Sequence, residues 1–137
     1  MNKKNSITFN RIKSFKTSNN LFESFGYASN GILYCFKNTR NFRIQIFIAS
    51  LSIFFGLILK LEPNQFLIII SLIFSVLILE LINTSIESLV DLMVGDKFNK
   101  LAKIVKDCSA GSVLLASLNS FIVGVYIFIP KIQLLLK

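Results

Sequence analysis

Three stretches of the chain are apolar and long enough to cross a bilayer, and the polar residues between them are gathered into short blocks. The first runs from Ile44 to Leu59, between Arg43 and Lys60, whose long side chains can reach back to the headgroups. Leu61 to Gln65, with Pro63, reads as a short turn. The second run starts at Phe66 and is apolar to Leu79 apart from two serines. It then continues as a helix carrying Glu80, Asn83, Thr84, Ser85, Glu87, Ser88 and Asp91. Gly95 to about Lys100 reads as a loop, and Leu101 to Asp107 as a basic approach to a third helix. That helix spans Ala110 to Ile129 and is expected to end at Pro130, which has no N–H to offer the next turn. Small residues on it, among them Gly111, Ala116 and Gly124, would let a neighbouring helix come close. Ahead of the spans, Leu21, Phe22, Phe25, Ala28, Ile32, Cys35 and Phe36 recur at spacings of three and four, the pattern of an amphipathic helix lying along the membrane surface.

The pattern therefore predicts an all-α integral membrane protein: a surface helix over 21–37, then spans at about 43–60, 65–94 and 108–129, in one domain covering 21–137. Composition agrees. Of 137 residues, 53% are hydrophobic, and the mean hydropathy is +0.66, both high for a soluble domain of this length. Residues 1–20 are polar and basic and bury too little apolar surface to order themselves, which predicts a flexible tail. It is not a signal peptide, because no apolar stretch follows until after residue 43.

The charge of +8 is distributed unevenly. Lys and Arg cluster before the first span and, as Lys97, Lys100, Lys103 and Lys106, between the second and third; the other loop has only Lys60 and the end only Lys131 and Lys137. By the positive-inside rule the N-terminus is cytoplasmic and the C-terminus outside a multi-pass protein of the cell (inner) membrane. The polar end of the second span then faces the cytoplasm. Positive charges in this pattern are topology signals, so a nucleic-acid partner is not expected. There is no His and no CxxC, and Cys35 and Cys108 lie far apart. Zinc sites, disulfide frameworks and His-dependent nucleophilic catalysis are disfavoured, and the cysteines read as small buried hydrophobes.

At about 100° per residue, Glu80, Asn83, Glu87 and Asp91 fall in one stripe of the second span. Holding a carboxylate at membrane depth costs roughly 2.5–3.5 kcal/mol on insertion scales, so such residues need protein, metal or water around them. Asp91 alone reads equally well as a solvated juxtamembrane carboxylate. Glu80, directly after the apolar run, sits at the boundary where a lipid hydroxyl would lie. Lys100, Lys103 and Lys106, with Asp107 after them, form a basic ramp that could meet phosphate, although such lysines are more often simple topology determinants. There is no GxxxxGK[ST] and no GxGxxG, so a nucleotide would be held without a glycine-rich phosphate loop.

The string ELINTSIESLVDL from Glu80, followed by LAKIVKDCSAGSVLLAS from Leu101, resembles the prokaryotic diacylglycerol kinase family, which includes the undecaprenol kinases. SFGYASNGI from Ser24 and NFRIQ from Asn41 resemble its surface helix and the start of its first span, so the likeness covers about residues 21–129. The resemblance implies a homotrimer that transfers the γ-phosphoryl group of Mg-ATP to a lipid hydroxyl. It gives Glu80 the part of general base, Asn83 that of positioning the reacting groups, and Glu87 that of a ligand of Mg²⁺. Asp91, Lys106 and Asp107 would hold the nucleotide. One position departs: family members usually carry a second metal-ligating Glu where this chain has Thr39, a weaker, neutral oxygen ligand.

The leading expectation is an ATP-dependent diacylglycerol kinase that makes phosphatidic acid for phospholipid metabolism. The strings NFRI and LAKIVKD look as much like the undecaprenol-specific branch. A non-enzymatic membrane helix bundle stands as the reading from another class, favoured only by Thr39.

Overall fold

The computed structural model describes residues 20–135, and among them there are four helices and no strand. Apart from Asn20, the basic tail lies outside the described residues. The helices are α1 (Leu21–Asn38), α2 (Arg40–Ile58), α3 (Pro63–Val94) and α4 (Lys100–Leu135). The last three are long and apolar enough to cross a membrane. α3 is the centre of the fold. It packs along α4 over the greatest length and also against α2 and α1, while α2 and α4 barely meet.

Helix lengths decide where the polar residues go. At 1.5 Å per residue α2 is about 28 Å long, matched to a hydrocarbon core of about 30 Å. α3 and α4 measure about 48 Å and about 54 Å on the same rule, too long to be contained by that core. Pro63 to Leu79 uses up about 25 Å of α3, so the remainder, from Glu80 to Val94, extends to the boundary and beyond it beside the start of α4. The apolar surface around the bundle, including Phe47, Phe74, Leu114 and Phe121, remains exposed, as expected for a body solvated by lipid.

The connections are locally encoded. Thr39 is the only residue between α1 and α2, in an extended conformation with φ −106° and ψ 124°. Its hydroxyl donates to the Cys35 carbonyl at 2.8 Å, and the Arg43 guanidinium donates to the Lys37 carbonyl at 2.8 Å and the Phe36 carbonyl at 3.3 Å. These bonds satisfy carbonyls that α1 leaves open where it stops. α2 ends in a Schellman arrangement: the Leu61 N–H donates to the Gly56 carbonyl at 3.0 Å and the Lys60 N–H to the Leu57 carbonyl at 3.2 Å. Lys60 occupies the left-handed position of that motif at φ 49°. Gly56 is needed where it is, because a Cβ would stand 3.2 Å from both Leu61 Cδ1 and Phe66 Cε2.

Pro63 is not part of the turn, as the sequence reading had it, but the first residue of α3, where a missing N–H costs nothing. Glu62 and Gln65 form a reciprocal capping box around it. Glu62 also accepts a long contact from Lys131 Nζ at 3.4 Å, which ties the start of α3 to the far end of α4. At the other end of the bundle the Asn99 side chain caps α4, accepting from the N–H groups of Leu101 at 2.9 Å and Ala102 at 3.2 Å.

Two expectations are corrected. α4 does not end at Pro130 but continues through it to Leu135. A proline in a helix costs about 3 kcal/mol, whereas stopping the helix near hydrocarbon would strand several backbone groups at several kcal/mol each, so continuation is favoured. Both cysteines are free, but only Cys35 is buried; Cys108 is exposed on α4. From the α2–α3 turn, Lys60→Gly should stabilise the protein by about 1 kcal/mol by relieving the left-handed lysine. Gly56→Val should destabilise it by roughly 1–3 kcal/mol through overpacking against Leu61 and Phe66. Denaturant unfolding in detergent micelles, followed by helicity, checks both signs.

Candidate active site

The acidic stripe of α3 is resolved into neighbours with different surroundings. Glu80 is 3% exposed, and Asn83 and Thr84 are 7% exposed. Glu87 is half-buried one turn on, and Asp91 is exposed. Burial thus falls along the stripe from the bilayer boundary outward, as the excess length of α3 requires.

Glu80 is paired across the bundle. Gln45, on the first turns of α2, donates from Nε2 to Glu80 Oε2 at 3.1 Å. Asn83 donates from Nδ2 to Glu87 Oε1 at 3.0 Å, a contact within α3 that turns the carboxylate toward the amide. The oxygen of that amide, Asn83 Oδ1, is buried without a hydrogen-bond partner, as are Gln45 Oε1 and Ser109 Oγ. Each such oxygen costs roughly 1–3 kcal/mol if it is left without a donor.

Farther out, Lys106 Nζ of α4 forms a short ion pair with Asp91 Oδ1 of α3. Their side chains are 37% and 62% exposed, so the pair is worth only about 0–1 kcal/mol and a phosphate could take the lysine at small cost. Asp107, next along α4, is exposed. Thr39 lies at the α1–α2 junction, its hydroxyl hydrogen used on the Cys35 carbonyl and its oxygen lone pairs still able to accept. Of the residues singled out from sequence, Asn83 and Glu87 are in direct contact, as are Asp91 and Lys106, whereas Glu80 is held by a residue of another helix. Sequence reasoning quoted Gln45 only within a string. The signal that could have found it is an amide at the second turn of an otherwise apolar span.

Among the described residues no three His, Cys, Asp or Glu side chains come together to hold a metal ion. The half-buried Glu87 carboxylate nevertheless offers a hard cation an anionic oxygen. Mg²⁺ accompanying a nucleotide takes one or two protein oxygens and fills its other positions with phosphate and water.

Below Glu80 an apolar groove of about 600 Å³ runs between α2 and α4 over α3. Ile48, Val76, Phe121 and Phe128 are among its walls, and Gln45 lies at its end nearest Glu80. A lipid-shaped groove thus leads to a buried carboxylate with a cation and an amide–carboxylate pair farther out. That combination defines a membrane-embedded enzyme with chemistry at one end of its helices.

Comparison with known proteins identifies the family. The pattern described as prokaryotic diacylglycerol kinase matches residues 26–128, and the chain belongs to that family. It is 42% identical over 122 residues to a diacylglycerol kinase of Synechocystis sp., covering 89% of this chain and 70% of that one. It is 39% identical over 114 residues to an undecaprenol kinase of Bacillus subtilis, covering 83% and 92%. A diacylglycerol kinase of Haemophilus influenzae is 31% identical over 96 residues, covering 70% and 80%. The protein is therefore a membrane-bound lipid kinase, a transferase that uses a nucleotide co-substrate.

Because the Lys106–Asp91 pair is solvent-exposed, Lys106→Met should change stability by no more than about 1 kcal/mol. The same substitution should raise the KM for nucleotide about tenfold or more, which is the signature of a lost charge-assisted phosphate contact. Thermal unfolding and initial-rate kinetics on one preparation separate the two effects.

Proposed function

We propose that this chain transfers the γ-phosphoryl group of Mg-ATP to the free hydroxyl of diacylglycerol, giving phosphatidic acid. The observation that carries the reading is Glu80: a buried carboxylate at the end of the apolar part of α3, held by the neutral amide of a residue that lines an apolar groove. Glu80 takes the hydroxyl proton as the lipid oxygen attacks the γ-phosphorus. The O–H bond breaks, a new P–O bond forms, and the bond to the β-phosphate oxygen breaks with ADP leaving. Such a transfer needs mainly positioning and charge neutralisation, so few protein groups suffice. Asn83 orients Glu87 and the reacting groups. Glu87, held by Asn83 Nδ2, is the protein's side of the Mg²⁺ site, and the metal when bound would neutralise phosphate charge. Lys106 exchanges Asp91 for phosphate oxygens, and Asp91 and Asp107 hold the rest of the nucleotide.

The active unit is a homotrimer in the cell (inner) membrane, with the N-terminus cytoplasmic and the C-terminus outside. The topology follows from the lysines and arginines before α2 and between α3 and α4, which put the Glu80 end of the bundle on the ATP side. Diacylglycerol is named first on the strength of the Synechocystis relative. Undecaprenol is the second reading, favoured by the Bacillus relative, 92% of whose length is matched.

Incubating the purified protein with labelled ATP and each lipid should put label on diacylglycerol; label on undecaprenol alone would overturn the first choice. Glu80→Gln should lower turnover by about 10²-fold or more while leaving helicity and assembly size unchanged. Thr39→Glu supplies an anionic oxygen where the family usually has one and should lower the Mg²⁺ concentration giving half-maximal rate. A Mg²⁺ titration unchanged from that of the parent would show that residue 39 takes no part in metal binding.

A further inference from the structure

Gln45 joins the two features that the proposed reaction must connect. It is the one residue that both lines the apolar groove and hydrogen-bonds to Glu80. The groove around it is otherwise aliphatic, aromatic or serine, and the serine hydroxyls of its middle stretch have local uses: Ser52 Oγ donates to the Ile48 carbonyl at 2.9 Å and Ser120 Oγ to the Ala116 carbonyl at 2.9 Å. Gln45 makes no such local bond among the described residues. One end of its amide holds Glu80, and the other, Oε1, is buried and unpaired.

An amide cannot rest in that position at random. Turning it over would bring Oε1 against the oxygens of the Glu80 carboxylate, lone pair to lone pair, so the hydrogen bond fixes Nε2 as the end that faces Glu80. The charged groups nearby are occupied: Arg43 of α2 donates to the end of α1, Glu87 of α3 receives Asn83, and Lys106 of α4 is paired with Asp91. Gln45 is accordingly the sole side chain hydrogen-bonded to Glu80 among the described residues.

We propose that Gln45 is a positioning residue that docks the lipid hydroxyl at the base: Nε2 holds the Glu80 carboxylate aimed, and Oε1 accepts a hydrogen bond from the hydroxyl of the incoming lipid. Rotation about the lipid C–O bond then turns the O–H group from Oε1 to the free oxygen of Glu80, which takes the proton as the O–H bond breaks and the lipid oxygen attacks phosphorus. Gln45 itself gains and loses no atom. The inference rests on the reading of Glu80 as general base. It deepens that reading by specifying that the site recognises a lipid alcohol through an amide rather than through a charge.

The test compares Gln45→Leu, Gln45→Glu and Glu80→Gln, singly and with the first and last combined, in the full chain reconstituted in detergent with lipid substrate. Gln45→Leu removes both hydrogen bonds at similar volume, and Gln45→Glu keeps the shape but loses the donor. Each is expected to lower kcat by about 10- to 100-fold and to raise the KM for lipid, with the KM for Mg-ATP unchanged. In the Glu80→Gln background, adding Gln45→Leu should change the residual rate by less than about twofold, because residues acting as a unit are not additive. Elution position and thermal unfolding show that each variant is assembled. If Gln45→Leu does not assemble, the Gln45→Glu comparison decides. An inactive Glu80→Gln with Gln45 variants at wild-type kcat would overturn the role of Gln45 and leave the base intact. An active Glu80→Gln would overturn the base itself. A rise in the KM for Mg-ATP equal to that for lipid would also overturn the proposal, since it would mean a general distortion of the site.

Discussion

The bilayer sets the constraint from which the rest of the molecule follows: a hydrocarbon layer of about 30 Å cannot contain a helix of about 48 Å. α3 has to emerge, and its partner α4 emerges with it. The excess turns are where Glu80, Asn83, Glu87 and Asp91 are found, graded from buried to exposed. Within a single helix the chain thus passes from a setting suited to lipid to one suited to nucleotide. α2, at about 28 Å, is matched to the layer, and its first turns lie level with Glu80. That is why a residue early in α2 can meet a residue just past the middle of α3.

Electrostatics sorts these groups by depth. The buried Glu80 carboxylate is met by a neutral amide, which donates a hydrogen bond without bringing a full positive charge. Where charge does meet charge, between Lys106 and Asp91, the pair stands in water and is easily exchanged. From Glu80 to Asp91 the contacts of α3 thus pass from buried and neutral to exposed and charged.

Much of this was legible in the chain. The long apolar runs marked the three spans, and the 3, 7 and 11 offsets from Glu80 put the acidic residues on one stripe, because helical periodicity is a local property. Legibility stopped where the answer depended on how helices meet. The contact between Gln45 and Glu80 links residues 35 positions apart and requires the antiparallel register of α2 and α3. Pro130 misled because a rule drawn from helices in water was applied near a membrane, where ending a helix costs more than crossing a proline. Pro63 was placed in the turn because the same residue serves both a turn and a first helical position. Thr39 was read only for its missing charge, whereas its hydroxyl closes the end of α1.

The two ion pairs between α3 and α4 lie at opposite ends of their shared length, Asp91 with Lys106 at one and Glu62 with Lys131 at the other. Each is modest alone, and between them run apolar faces that would tolerate sliding. A slip of one helical turn, about 5.4 Å, would break both pairs; Lys103 could then replace Lys106 beside Asp91, but no described lysine lies a turn from Lys131 to replace it beside Glu62. The Glu62–Lys131 pair, at the opposite end of the bundle, is therefore the contact that selects the register in which Asn83 and Glu87 lie beside the start of α4.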